Sequence, residues 1–273
     1  MNTNHIRWVY GVDFSGAREA GRKIWIATGL IRGKVLEITD CRPAKELSGS
    51  GKELQKCLTA LVDFISGQCE AIFGMDFPFG IPAPLLKENS WKKYILSFRG
   101  MFSNPDQFKE EYFSSANNSE LKRATDKEWG TPFSVYNRRL YKQTYYGIRE
   151  IIDPLVREDR ACFLPMQEPA SGRPWVVEIC PAVTLKNEGL YSSPYKHKTP
   201  ECSQQRLRIL RKIEETGNLR IPEGLKTTIL SNYSGDALDS IIAAFATFRS
   251  LPNLFSLSVK KKPIYMLEGY VYA

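Results

Sequence analysis

The sequence has few of the side chains that soft metals and disulfide frameworks need. It contains two histidines, and its six cysteines are scattered without a C-x-x-C pair. A zinc site or a disulfide framework is therefore not expected, and the cysteines are predicted to be buried, reduced thiols. The chain also lacks an apolar run of eighteen residues, and its first residues, MNTNHIR, lack the apolar stretch of a signal peptide. The sequence thus predicts a cytoplasmic protein with no membrane-spanning helix.

The charge of the chain favours an anionic partner without identifying it. The formal net charge is +8, whereas the apolar fraction of 42% and the charged fraction of 25% are those of an ordinary globular protein. Nucleic acid, a membrane surface and a small phosphate compound are all compatible with this charge, and so is a basic surface without such a role. The 273 residues contain no internal repeat or low-complexity linker, so we expect a single domain over 1–273.

Hydrophobic periodicity predicts an α/β fold. Strands are predicted at 6–13, 23–30, 34–40, 71–77 and 174–181, and helices at 47–65, 204–215 and 235–249. The turn residues Arg32 and Gly33 make the first three strands an antiparallel meander, and the helix that follows leads to a strand parallel with the first. The last stretch, 264–272, fits an edge strand or a short hairpin. The order β-β-β-α-β predicts a mixed sheet with a parallel centre.

Residues 85–172 interrupt this rhythm. They are rich in aromatic side chains and contain helical pieces, which predicts a helical insertion subdomain on the sheet after the fourth strand. Within it, 133–149 has no acid and interleaves tyrosines with Arg138, Arg139 and Lys142. This pattern suits a phosphate backbone with stacked bases, so these three residues are candidate substrate contacts. A helix that buries its tyrosines and leaves its basic groups in water fits equally well.

Acids stand at the ends of three predicted strands and at the start of one helix. These candidate catalytic residues are Asp13, Asp76, Glu178, Asp236 and Asp239. Asp236 and Asp239 share a helix face, and Ala243 and Ala246 continue that row, which allows the helix to lie close against a sheet. Each acid alone is explained as a turn former or a helix cap. Together, they are predicted to converge at one edge of the sheet.

Converging carboxylates repel one another and require cations to remain ionised. Oxygen ligands without His or Cys select magnesium or manganese over zinc. Asp13, Asp76, Asp236 and Asp239 are therefore the candidate ligands of Mg²⁺ or Mn²⁺. Two such ions about 4 Å apart can activate a water and stabilise the leaving oxygen of a phosphodiester, as in many nucleases.

Five motifs carry a resemblance to a known family. GVDFSG, GMDFPFGIP, EICPA, GDALDSIIAAFATFR and EGYVYA resemble the predicted nucleases of ribonuclease H-like fold grouped as domain-of-unknown-function family 429. The resemblance implies a five-stranded mixed sheet flanked by helices, and it does not cover the insertion.

The order of the acids is also similar to that of Holliday-junction resolvases of the same fold. Asp13 and the D-x-x-D pair Asp236 and Asp239 match resolvase metal ligands, and so does Asp76, although the resolvases usually have Glu there. Glu178 matches a family motif, as a metal ligand or as an acceptor behind the ligands.

The expected function is therefore a metal-dependent nuclease that uses Mg²⁺ or Mn²⁺ and acts on DNA or RNA. Two alternatives remain open. GVDFSG is also similar to the first phosphate loop of actin and sugar-kinase folds, which implies an ATP-dependent phosphotransferase, although no second glycine-rich phosphate loop is found. The third possibility is a non-catalytic module that binds nucleic acid or protein through the aromatic insertion.

Overall fold

The computed structural model describes residue 3 and residues 5–191, 193–255 and 262–273. These residues form a mixed α/β fold around one eight-stranded sheet. Its strands are β1 (Trp8–Asp13), β2 (Trp25–Arg32), β3 (Val35–Pro43), β4 (Ala71–Met75), β5 (Cys162–Leu164), β6 (Trp175–Ile179), β7 (Leu219–Arg220) and β8 (Val271–Tyr272).

The sheet has the order β5-β6-β4-β1-β2-β3-β7, and β8 pairs with β6 beside β5. The first three strands form the expected antiparallel meander, and β4 and β6 continue the sheet parallel with β1. The carboxyl ends of β1, β4 and β6 therefore lie at one edge. Because loops at such an edge converge on the same space, this is where the predicted acids can meet.

Helices cover both faces of the sheet. They are α1 (Ala20–Lys23), α2 (Leu54–Ser66), α3 (Trp91–Met101), α4 (Pro105–Ser115), α5 (Ala124–Trp129), α6 (Tyr141–Tyr146), α7 (Asp153–Arg157), α8 (Pro181–Asn187), α9 (Pro200–Glu215), α10 (Glu223–Ser231), α11 (Asp236–Ser250) and α12 (Tyr265–Glu268). A π-helical segment, Gly147–Ile152, joins α6 to α7, and 3₁₀ turns lie at Ala44–Glu46, Ala83–Leu85 and Leu251–Asn253. Among the described residues, no helix is long and apolar enough to cross a membrane.

The alternation of side chains along the strands divides the core into two layers. On one face, Val12 and Met75 pack with α2, α3, α4 and the π-helical segment. On the other face, Val9, Ile72 and Val177 pack with α9, α10 and α11. Because successive side chains on a strand point to opposite faces, the parity of a residue decides which helical layer it meets.

Helix α11 lies with its backbone directly on the sheet. A Cβ atom at Gly11 of β1 would stand 2.1 Å from the carbonyl oxygen of Ser240, and one at Gly74 of β4 would stand 1.8 Å from Oγ1 of Thr247. Only glycine permits this approach, since any side chain there would overlap the helix. The close contact brings the first turn of α11 to the edge where β1 and β4 end.

The structure corrects the predicted sheet, which has eight strands instead of five. The three additional strands, β5, β7 and β8, are only two or three residues long, too short for a period of two to be visible in the sequence. The stretch 264–272 is not a hairpin: α12 leads to β8, which pairs in parallel with β6. The helix expected at 47–65 begins only at Leu54.

The segment 85–172 is helical as expected, except that it ends in β5, a strand of the main sheet. Many of its aromatic side chains, among them Phe98, Phe102 and Phe108, lie in the same core cluster as residues of β1 and β4, whereas Phe113 is exposed. The cysteines are all free. The prediction that they are buried is correct for Cys41, Cys57, Cys162 and Cys202, but Cys69 is exposed and Cys180 is partly exposed.

Candidate active site

Asp13 and Asp76 lie side by side where β1 and β4 end. Val12 pairs with Met75 in the parallel ladder, and the backbone N–H of Asp76 donates to the carbonyl oxygen of Val12 at 2.9 Å. Both acids have the parity of Gly11 and Gly74, so they belong to the face covered by α11. Asp13 is 8% exposed. The strands therefore place two carboxyl groups in contact in a poorly hydrated position.

Asp239 joins them from the first turn of α11. Its side chain is 2% exposed, and both of its oxygens are engaged. The hydroxyl of Tyr195 donates to Oδ1 at 2.7 Å, and the ammonium of Lys196 forms an ion pair with Oδ2. Tyr195 is buried, whereas the Lys196 side chain is half exposed. Asp239 is thus held by the loop that precedes α9.

The three acids perturb one another strongly. Burial, and then the charge of Asp239, raise the pKa of Asp13 well above its ordinary value. The same two causes raise the pKa of Asp76 to about 7, although a hydrogen bond from Asp13 and the charge of Lys196 favour its ionised form. The raised pKa favours the protonated form of Asp13 in its contact with Asp76. Carboxyl groups behave in this way when too little positive charge is available to keep all of them ionised.

Asp236 lies at the margin of this cluster. It is the first residue of α11, and Ser234 donates a hydrogen bond to its Oδ2 at 2.7 Å, while the ammonium of Lys23 stands 3.8 Å away. Burial raises its pKa. Asp236 does not line the cavity in which Asp13, Asp76 and Asp239 meet, so the structure brings together three of the four predicted metal ligands.

Glu178 also lines this cavity, but it has the parity of Val176, so its side chain leaves the strand toward the opposite layer. There it forms a buried ion pair with Arg123, whose Nη1 donates to Oε2 at 2.8 Å. Arg123 is also paired with Asp126, and the backbone N–H of Phe79 donates to Glu178 at 2.9 Å. Glu178 therefore fixes the turn that follows Asp76, and it shares the charge of Arg123 with Asp126.

The three predicted substrate contacts are exposed, but only one of them lines the cavity. Arg139 does so, with its guanidinium 5.4 Å from the ring centre of Phe133. Arg138 and Lys142 are outside the lining. The tyrosines of 133–149 are of both kinds expected from the sequence: Tyr145 is buried in the core, whereas Tyr141 is partly exposed.

The acids form the floor of a cavity of about 780 Å³. Its rim carries Tyr191, which is 56% exposed, together with Lys196 and His197. The sequence reasoning missed this whole segment, including Tyr195. It lies in a loop without hydrophobic periodicity, and no local pattern indicates that the loop folds back over α11. The one available signal was chemical, since tyrosine and lysine are the partners that a buried carboxylate requires.

A divalent cation fits the cluster by donor chemistry and by charge. The carboxyl groups of buried Asp13 and Asp239 and of partly exposed Asp76 meet a single lysine, and a hard cation supplies positive charge that favours their ionised forms. In the described part of the chain, however, no three His, Cys, Asp or Glu side chains are arranged as the ligands of one ion. Asp239 could serve as a ligand only if Lys196 released it.

Comparison with known proteins identifies the family of the chain but no characterised relative. No curated protein and no solved structure matches it. One family matches residues 11–251, a span that includes Asp13, Asp76, Glu178 and both acids of α11. The chain belongs to the family described as "Protein of unknown function (DUF429)".

Proposed function

We propose that this protein is a Mg²⁺- or Mn²⁺-dependent nuclease that hydrolyses phosphodiester bonds in DNA or RNA. The observation that carries the proposal is that Asp13, Asp76 and Asp239 meet on the floor of one cavity, although they come from three parts of the chain that are far apart in sequence. Carboxylates gathered in this way at a sheet edge are costly unless a cation binds to them.

The fold supports a ribonuclease H-like assignment. The five central strands comprise an antiparallel meander, β1 to β3, and two strands parallel with β1, namely β4 and β6. Helices flank this sheet on both faces. The acids stand on the first strand, the fourth strand and a late helix, the order implied by the resemblance to resolvases.

The residues of the cavity have distinct roles in this proposal. Asp13, Asp76 and Asp239 would hold the cation, which supplies Lewis acidity and a lowered pKa for water at the reacting phosphate. Arg139 on the rim binds a neighbouring phosphate. The exposed ring of Tyr191 offers a surface on which a base can stack. Glu178 and Arg123 position the turn after Asp76.

The proposal is tested by incubating the protein with labelled single-stranded and duplex DNA and RNA and a four-way DNA junction, with Mn²⁺, with Mg²⁺ or with EDTA. Cleavage of at least one substrate is expected with either cation, and none with EDTA. Asp13→Asn and Asp239→Asn are each expected to lower the rate by at least about a hundredfold, because each removes a charged ligand.

Asp40→Asn is the matched control, since Asp40 lies on β3 away from the cavity and pairs with Arg42. It is expected to cleave at the wild-type rate. Cleavage that persists in Asp13→Asn would contradict the mechanism. Turnover of ATP in the same reactions without strand cleavage would favour a phosphotransferase instead.

A further inference from the structure

We propose that Lys196 is the counter-ion of the acids when no divalent cation is bound. Lys196 must release Asp239 before such a cation binds, and its ammonium then contacts a phosphate oxygen of the substrate. This inference rests on the proposed function. It assigns a role to a residue that no sequence motif singled out, and it explains why acids in mutual contact are stable in the absence of metal.

The contacts of Asp239 are the first argument. Its Oδ2 is taken by the ammonium of Lys196 and its Oδ1 by the hydroxyl of Tyr195. Each oxygen of this carboxylate already has one donor, and the negative charge on Oδ2 is paired with the ammonium. Tyr195 is neutral and buried, so its hydrogen bond can persist beside a bound cation. The lysine cannot remain, because two positive charges would compete for one oxygen.

The reach of the ammonium is the second argument. The ammonium of Lys196 contacts Asp239 and is also close enough to act on Asp13 and Asp76. Burial opposes the ionisation of these two acids, and the positive charge of Lys196 favours it. Lys23 stands beside Asp236 at the margin, and Arg123 is paired with Glu178 and Asp126. Lys196 therefore provides the compensation that a metal ion would otherwise supply, although one charge cannot balance three carboxylates.

The position of Lys196 in the chain is the third argument. It lies in a loop outside the helices and strands, between α8 and α9, and its side chain is half exposed on the cavity rim. A long, flexible side chain on such a loop can leave Asp239 without disturbing the sheet. Because Lys196 lines the cavity, an ammonium released from Asp239 would meet an anionic substrate there, and phosphate oxygens are suitable partners for it.

The test compares Mn²⁺ affinity in the wild type, Lys196→Met and Lys196→Arg by isothermal titration calorimetry without any nucleic acid. Lys196→Met is expected to bind Mn²⁺ at least about tenfold more tightly, because a competing unit charge has been removed. Lys196→Arg keeps the charge and is expected to bind like the wild type. Lys198→Met is the matched control, since Lys198 lies over the exposed ring of Tyr233 instead of facing the acids.

The outcomes separate this inference from the proposed function. If the wild type binds Mn²⁺ and cleaves, and Lys196→Met binds Mn²⁺ equally or more weakly, the counter-ion role alone is overturned. Lys196 then only stabilises the loop through its ion pair with Asp239. Binding of Mn²⁺ by Lys196→Met but not by the wild type supports the counter-ion role. Failure of all variants to bind Mn²⁺ overturns both proposals. Thermal unfolding without metal checks that each variant is folded.

The substrate part has its own readout. With a cleavable strand, Lys196→Met is expected to raise KM at least about tenfold while Mn²⁺ binding is tighter, because the phosphate contact is lost. An unchanged KM overturns this part of the proposal.

Discussion

Asp76 couples the protonation of the site to the stability of the fold. Its carboxyl group ends β4, contacts Asp13 and has a pKa raised to about 7, first by burial and then by the charge of Asp239. The unfolded chain ionises this group near pH 4. A raised pKa in the folded state means that folding favours the protonated form. The contribution of Asp76 to stability is therefore present at low pH and is lost as the pH rises from about 4 to about 7.

Asp76→Asn removes this titration and keeps the shape of the side chain. In EDTA, we expect its melting temperature relative to the wild type to be several degrees higher at pH 8 than at pH 4, because the amide avoids burying a charge. Thermal unfolding followed by circular dichroism measures the difference, with Asp40→Asn as the control. A difference that does not change with pH would contradict the raised pKa.

At the scale of elements, the site depends on how closely α11 approaches the sheet. The helix begins after Gly235, which has a φ of +84°, and its backbone then crosses β1 at Gly11 and β4 at Gly74. The contact sets the distance between Asp239 on the helix and the acids at the strand ends. The glycines of the strands are therefore as important to the site as the carboxylates themselves.

Gly11→Ala is expected to destabilise the protein by about 3 kcal/mol or more, because its Cβ would lie 2.1 Å from a backbone oxygen that cannot move without shifting α11. Mn²⁺ binding should weaken in the fraction that folds. Gly100→Ala is the matched control, since Gly100 is in helix α3 with no atom within 4 Å of its added Cβ. The control is expected to be neutral or more stable by about 0.5 to 1 kcal/mol. Urea unfolding measures both, and equal stability of the two variants would contradict the packing argument.

At the scale of the whole molecule, the helical segment 85–172 and the sheet share one core. Phe98, Phe102 and Phe108 belong to the same cluster of buried residues as Val12 and Met75. Arg123, from the start of α5, reaches Glu178 of β6, and Glu268 near the C-terminus accepts hydrogen bonds from the backbone N–H groups of Ala83 and Ala124. These contacts connect the segment to both ends of the fold.

We therefore expect the chain to unfold as one cooperative unit. Urea transitions followed by tryptophan fluorescence and by far-UV circular dichroism are expected to coincide, since no part of the shared core is stable alone. Trp91 and Trp129 report on the segment, and Trp25 and Trp175 on the sheet. Separate transitions would contradict this prediction and would make 85–172 a domain with its own core.

Much of this architecture can be read from residue patterns. The alternation in β3 and the apolar runs of β1, β4 and β6 are long enough to identify strands, and the period of α11 identifies a helix. The strands β5 and β7 could not be found in this way, because two or three residues are held in a sheet by the neighbours they pair with rather than by a pattern of their own. For the stretch that contains β8, the pattern left an edge strand and a hairpin open, and the pairing with β6 decided between them.

The site shows the same division. Asp13, Asp76 and Asp239 could be proposed from the sequence because each borders a strongly apolar element, and polar groups there require a reason. The face of the sheet on which Glu178 lies could not be predicted from the sequence, since it depends on the register of β6 against β4. The role of Lys196 could not be predicted either, since its contact with Asp239 spans 43 residues and depends on the path of an irregular loop.

The sequence by itself determined which segments are buried and where acids border them, because periodicity and desolvation act locally along the chain. Only the tertiary structure decided which of those acids face one another. Register and parity sent Glu178 to Arg123, the glycines of β1 and β4 brought α11 onto the sheet, and a loop without periodicity placed Lys196 on Asp239. Electrostatic interactions depend on distances in space, and the fold alone sets those distances.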